Sequence, residues 1–252
     1  REPVRQEALL VLGQIVFGSL RLSCVQKKEI FVLCFKKLLF LLNENKGDEL
    51  TVFYRAAALS NLYRFITDYR MTEGDFEIGE REKVAFFPGT FDPFTLSHKE
   101  IVREIRDRGY EVYLAVDEFS WSKKAQPHLI RRQIVNMSVA DEFHVNLFPD
   151  DIPVNIANPA DLRRLKQVFA GKEIYIVVGS DVIANASSYR EEPCEDSIHT
   201  MNHIAFRRVG DKKADNKFNR EMMDRISGTV YELELPEHLE DITSTKIRGN
   251  MD

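Results

Sequence analysis

Residues Pro88-Gly89-Thr90-Phe91-Asp92-Pro93-Phe94-Thr95-Leu96-Ser97-His98 follow the apolar run Val84–Phe87 and lead into a segment of helical periodicity. A chain that leaves a buried strand, turns through glycine and proline and starts a helix directs several backbone N–H groups to one place. The helix dipole adds partial positive charge there, so the natural guest is an anion such as phosphate. Gly89 permits close backbone approach to a bulky ligand, and His98, in the first helical turn, is placed to donate hydrogen bonds to phosphoryl oxygens. Ser97 with Glu100 makes a capping box, a structural role open to any helix start.

Near the other end, Asp241-Ile242-Thr243-Ser244-Thr245-Lys246-Ile247-Arg248 repeats the same physics. Hydroxyls cap a new helix, its first N–H groups face an anion, and Arg248 adds a charge-assisted grip. Alone, this would be only a capped helix start. Between the two, Ile174–Val178 is a buried strand ending in Gly179-Ser180-Asp181, where one reading of Asp181 is a plain helix N-cap. Lys123 and Lys124 are either a solvated loop or cations that neutralise charge on a leaving pyrophosphate. Trp121, the only tryptophan, either stacks on a ring or belongs to the core.

The elements that must position these residues begin at Lys83. Short apolar runs at Val84–Phe87, Val112–Val116, His144–Phe148, Ile174–Val178, His203–Phe206 and Val230–Leu235 alternate with helical patterns near Ser97–Arg108, Leu129–Ala140, Asp161–Ala170 and Asn216–Ile226. This predicts a Rossmann-like α/β fold, a mostly parallel sheet with helices on both faces. Such sheets bind ligands outside the carboxyl ends of their strands.

Residues 1–70 instead carry helical periodicity throughout, with Val25–Leu42 one amphipathic helix and 43–48 a stop and turn. The sets Arg5, Ala8, Leu9, Leu12, Ile15 and Arg55, Ala58, Leu59, Leu62, Phe65 repeat at a constant offset. Small Ala and Gly let neighbouring helices approach while Leu and Ile fill the core. The first set resembles the second helix of a HEAT repeat, and a generic three-helix cap is the other reading. The acidic, glycine-punctuated stretch Met71–Glu80 reads as a linker. Two domains are expected, a small all-α one over 1–75 and the α/β one over 80–252. The chain opens inside a helical pattern without an initiator Met, which suggests further helical repeats of a longer polypeptide.

A formal net charge of -5 argues against broad nucleic-acid binding, which needs a basic surface to displace counterions. The most apolar run, Ile30–Leu42, is broken by Lys36 and Lys37 and is too short to span a bilayer. Three cysteines, Cys24, Cys34 and Cys194, lack metal-ligand spacing and suit a reduced, cytoplasmic protein. No protein metal site is expected.

Gly89-Thr90-Phe91-Asp92-Pro93 followed by Thr95-Leu96-Ser97-His98 resembles the signature of the nucleotidylyltransferase superfamily, G-[ST]-F-[DN]-P-x-[TH]-x-x-H in its pantetheine-phosphate and pyridine-nucleotide adenylyltransferase branches. Ser97 departs from a common Gly. The stretch Thr243–Arg248 is similar to that family's I-S-S-T-x-I-R motif, with Thr243 for the first Ser, and Gly179-Ser180-Asp181 to its G-[AS]-D element. The segment from Val116 through Lys123 and Lys124 to Arg131, Arg132 and Met137 resembles its second-strand exit. The resemblance covers nearly all of residues 83–250 and none of 1–75.

It implies transfer of AMP from ATP, carried with Mg²⁺, to a phosphate-bearing acceptor, closest to nicotinate or nicotinamide mononucleotide. His98, Arg248 and Lys123 would be catalytic. Gly89, Thr90, Phe91, Thr95, Gly179, Asp181, Ser244 and Thr245 would line the nucleotide site, with Gly179 and Asp181 at the ribose. Pro93, where cytidylyltransferases usually carry Leu, favours ATP over CTP. The alternatives are a non-catalytic nucleotide sensor on a helical scaffold, or a transferase using CTP or a phosphopantetheine acceptor. The acidic loop Arg190–Asp196 sits awkwardly beside an anionic substrate.

Overall fold

The computed structural model describes residues 7–8, 10–43, 49–117, 125–207, 220–235 and 247. Two compact units divide the chain, residues 1–80 and 81–252.

The first unit is helical. A π-helical turn, Leu12–Phe17, precedes α1 (Cys24–Asn43) and α2 (Glu49–Thr72). Ser23 and Gln26 start α1 reciprocally: the Gln26 N–H donates to Ser23 Oγ at 3.2 Å and the Ser23 N–H to Gln26 Oε1 at 3.0 Å, which satisfies N–H groups that have no partner within the helix. Gly13 lies against Ala58 so closely that an added Cβ would meet its Cα at 3.0 Å. Small residues do bring these two segments together. Ile15 and Leu59, expected in the core, are 65% and 51% exposed, whereas Leu62 and Phe65 of the same sets are buried there beside Phe17, Phe31 and Leu38.

The stretch read as a polar linker corrects that expectation. Phe76 inserts edge-on among Phe31, Phe65 and Tyr69, with ring centroids 5.5, 5.5 and 5.1 Å away, and Ile78 packs on the same cluster. Its acidic and glycine residues hid two apolar anchors.

The second unit is a six-stranded, all-parallel sheet ordered β3-β2-β1-β4-β5-β6. Its strands are β1 (Lys83–Gly89), β2 (Glu111–Val116), β3 (Val145–Leu147), β4 (Glu173–Gly179), β5 (Asn202–Arg207) and β6 (Val230–Glu234). Successive side chains alternate between two apolar layers. Ala85, Phe87, Val112, Leu114 and Val177 meet Ile101, Val102, Ile105 and Val135 of α3 (Leu96–Asp107) and α4 (His128–Ser138). Val84, Phe86, Ile174, Ile176 and Val178 meet Leu162 and Leu165 of α5 (Pro159–Val168) and Ile183 of α6 (Ser180–Asn185). Each such side chain contributes about 1.5–3 kcal/mol by leaving water. Burial on both faces explains why these strands read as continuous apolar runs.

The short helix α7 (Ser187–Arg190) was not foreseen, and α6 begins at Ser180, ahead of the Asp181 that one reading made its N-cap. The helix expected over Asn216–Ile226 is described only from residue 220, where 220–223 are helical. Glu142, 4% exposed, fastens α3 to the turn before β3 through Lys99, Arg103 and Arg106. No described helix is long and apolar enough to cross a membrane.

Candidate active site

From β1 the chain crosses by α3 to β2 on one side, while β4 pairs with β1 on the other, so the strand order reverses between β1 and β4. A parallel sheet opens a crevice at the carboxyl ends of two such strands. Gly89 stands opposite Val116, and Gly179 opposite Phe206. The two glycine-ended strands therefore bring the sequence-predicted groups of β1 and β4 to one rim.

The loop after β1 is shaped by aromatic rings. Phe91 has a left-handed backbone, φ 45°, and its ring lies over Gly89, where a Cβ would stand 2.9 Å from Phe91 Cζ. The sequence reading gave that space to a ligand, whereas here it holds the phenyl ring. Phe91 and Phe94 are buried, so Phe91 offers a ligand only its backbone, and Asp92-Pro93 is cis.

The loop ends in a capping box two residues earlier than expected. Thr95, not Ser97, is the N-cap: its Oγ1 accepts from the His98 N–H at 3.4 Å, and its N–H donates to His98 Nδ1 at 3.0 Å. Ser97 is already helical and 3% exposed, so it is not the N-cap. The Thr95 hydroxyl also lies 2.8 Å from Nδ1, so it orients the histidine. A backbone N–H can only donate, so Nδ1 must accept and the neutral ring carries its proton on Nε2. Phe94 stacks on the imidazole at 5.4 Å and Phe91 meets it edge-on at 5.4 Å. The first turn of α3 contains no acidic residue to oppose an anion.

Across the switch, Gly179 is the N-cap of α6, and no side chain caps this helix. Asp181 therefore does not fill the plain capping role. It sits in the first turn, exposed, with Oδ1 folded back over Gly179 where a Cβ would collide with it. Glycine here lets a carboxylate lie across the end of β4, beside the ring of Phe206. Lys123, Trp121, Ser244, Thr245 and Arg248 lie outside the described residues.

Sequence reasoning assigned no role to the groups under this rim. Arg131 of α4 is 2% exposed. Its Nε donates to Gln126 O at 2.8 Å, one Nη to Thr90 O at 2.6 Å and the other to Asp117 O at 2.8 Å. Asp117 follows β2, and burial pushes its carboxyl up to about 6, against the pull of Arg131 and His128. The available signal was an arginine on the apolar stripe Arg131, Val135, Val139, all buried.

The acidic loop now has an account. Asp196 pairs with Arg163 at 2.9 Å and Lys166 at 2.8 Å on α5, which hold its carboxyl below the usual range. Arg225 donates to the carbonyls of Arg190 and Glu191.

A family model described as cytidylyltransferase-like matches residues 86–250. No curated protein sequence matches the chain. Among solved structures, it is similar to the Plasmodium falciparum nicotinic acid mononucleotide adenylyltransferase complexed with NaAD, at 15% identity and a TM-score of 0.52, covering 67% of this chain and 83% of that one. The same enzyme complexed with APC gives 15% identity, a TM-score of 0.51 and the same coverages. At this identity the likeness shows the fold.

Proposed function

The chain belongs to the cytidylyltransferase-like family and is a nucleotidylyltransferase; we propose that it moves AMP from ATP to a phosphate-bearing acceptor, nicotinate or nicotinamide mononucleotide. An acceptor phosphate oxygen attacks the α-phosphorus in line. The new P–O bond forms as the bond to the bridging oxygen breaks, and pyrophosphate leaves with that oxygen. Little covalent work falls to the protein, which supplies position and charge.

The observation that carries this reading is His98, held at the mouth of α3 with its proton on Nε2, just after β1, one of the two strands that flank the switch point. In that tautomer it donates to the phosphoryl oxygens on which charge develops. The backbones of Gly89, Thr90 and Phe91 line the triphosphate, and Gly179 and Asp181 take the ribose. By the sequence motifs, Lys123 and Arg248 neutralise the leaving pyrophosphate, and Ser244 and Thr245 hold its oxygens. Pro93 supports adenine over cytosine nucleotides.

Mg²⁺ enters with ATP and supplies charge neutralisation on the triphosphate. The described residues hold no cluster of three His, Cys, Asp or Glu side chains that would make a separate metal site. The helical unit carries none of this chemistry, and the contact of Gly13 with Ala58 supports reading it as a stacking module of the HEAT-like kind.

Pyrophosphate release tests the reading, with ATP or CTP offered against nicotinate mononucleotide, nicotinamide mononucleotide and phosphopantetheine. Release with ATP and a pyridine mononucleotide is expected. Tight ATP binding with no release from any pair would mark a nucleotide-binding module instead.

A further inference from the structure

We infer that Arg131 is a positioning residue of this site, fixing the loop after β1 against the end of β2 and the approach to α4 at Gln126. The kinetic part of this inference rests on the AMP-transfer reading. The structural part does not.

Arg131 occupies a core position of α4, in line with Val135 and Val139, yet it carries a charge. A buried guanidinium is retained only where fixed dipoles replace its water. Here three different nitrogens reach three carbonyls: Thr90 after β1, Asp117 after β2 and Gln126 before α4. These carbonyls come from three separate stretches of chain. The planar fork therefore sets their spacing, which the single nitrogen of a lysine does not do.

Neighbouring bonds run along the same seam. The Gln126 N–H donates to Asp92 Oδ2 at 3.3 Å, the Asp117 N–H to Gly89 O at 3.0 Å, and His128 Nε2 lies 3.2 Å from Val116 O. Gly89, Thr90 and Asp92 are thus registered on Val116, Asp117 and Gln126. Five residues after Thr90 comes Thr95, whose N–H sets the tautomer of His98. Displacement of Thr90 is carried along this short, ring-packed loop to the imidazole. The sequence between Asp117 and Gln126 also contains Lys123, so both of its flanks are tied to the same guanidinium.

The test is Arg131→Lys, which keeps the charge and loses the fork, with Arg132→Lys as control. Arg132 lies on the same helix but donates to Phe148 O and Asp150 just beyond β3, not to a carbonyl of the clamp. Two readouts are taken: amide hydrogen exchange of residues 88–98, and pyrophosphate release with ATP and nicotinate mononucleotide. R131K is expected to exchange faster in 88–98 and to lose about 10²-fold in kcat with a much smaller change in KM for ATP, as misplacement of reacting groups produces. R132K is expected to change neither.

Unchanged exchange in R131K overturns the inference, as does unchanged kcat in an active enzyme, or an equal loss in R132K. If the wild type releases no pyrophosphate with any acceptor, the AMP-transfer reading fails. Faster exchange in R131K then still supports the clamp, and unchanged exchange overturns it. If R131K does not fold, Arg131→Ala refolded with methylguanidinium keeps the test. Recovery with that cation and not with methylammonium supports the fork, and no difference between them overturns it.

Discussion

The backbone N–H of Thr95 donates to Nδ1 of His98 at 3.0 Å, while the Thr95 hydroxyl accepts from the His98 N–H at 3.4 Å. One pair of residues thus starts α3 and selects the tautomer of the imidazole. The bond that caps the helix and the bond that fixes the imidazole join the same two residues.

Replacing Thr95 therefore has two consequences. Thr95→Val keeps the shape and loses the cap, and about 1 kcal/mol of stability is expected to go with it. The histidine also loses its hydroxyl partner, so kcat falls in T95V beyond anything stability explains. Thr95→Ser, which restores the hydroxyl, recovers both. Thermal unfolding and pyrophosphate release, measured on the same samples, check this.

Gly179→Ala separates binding from folding. The backbone there is ordinary, φ -70°, so alanine introduces no strain. Its Cβ displaces the carboxylate of Asp181 and stands 3.4 Å from the Phe206 ring, an ordinary contact. Stability is expected to stay within about 0.5 kcal/mol of wild type. KM for ATP is expected to rise about tenfold, equivalent to roughly 1.4 kcal/mol. An unaltered KM would remove Asp181 from the nucleotide site.

Buried His203 and half-buried Asp117 shape the stability of the α/β unit against pH, in opposite senses. His203 donates from Nδ1 to Met201 O and accepts from the Tyr189 hydroxyl at Nε2, and burial lowers its pKa from 6.5 to about 4. The unfolded chain binds that proton first, so stability is lost as pH falls from about 6.5 toward about 4. Asp117, raised from 3.8 to about 6, is the reverse: its penalty is absent below 3.8 and complete above about 6. Asp117→Asn removes that penalty. The stability of D117N relative to wild type is expected to rise by about 2–3 kcal/mol between pH 4 and 6.5, as denaturant titrations would measure.

Phe76→Ala tests whether the stretch after α2 is part of the helical core. Phe76 is partly exposed, so the loss is set below that of a fully buried phenylalanine, at roughly 2 kcal/mol. Faster hydrogen exchange in α1 and α2 is the expected sign, and unchanged exchange would return Phe76 to a linker.

How far these features were legible depends on how many residues carry each one. The strands were readable because Val84–Phe87 and Ile174–Val178 are apolar on both faces, a pattern that requires a covered sheet. The turn from β1 into α3 was readable because glycine, proline and a hydroxyl occur together before His98. The cap itself was misread, since Ser97-x-x-Glu100 fits the usual Ser/Thr-x-x-Glu/Gln pattern, while Thr95-x-x-His98 closes its box with an imidazole. Only the backbone shows that Leu96 is already helical. Arg131 beside Arg132 looks like a second solvated arginine until α4 is oriented, and Phe76 was masked by acidic neighbours. Helices as short as α6 and α7 have too few turns to show a period.

Comparison of His98→Ala with the wild-type protein, in pyrophosphate release from ATP and nicotinate mononucleotide and in ATP binding, tests the central claim most directly. Turnover is expected to fall about 10²–10³-fold, roughly 2.7–4 kcal/mol of barrier, while ATP affinity is nearly preserved. Turnover near wild type in H98A would contradict it.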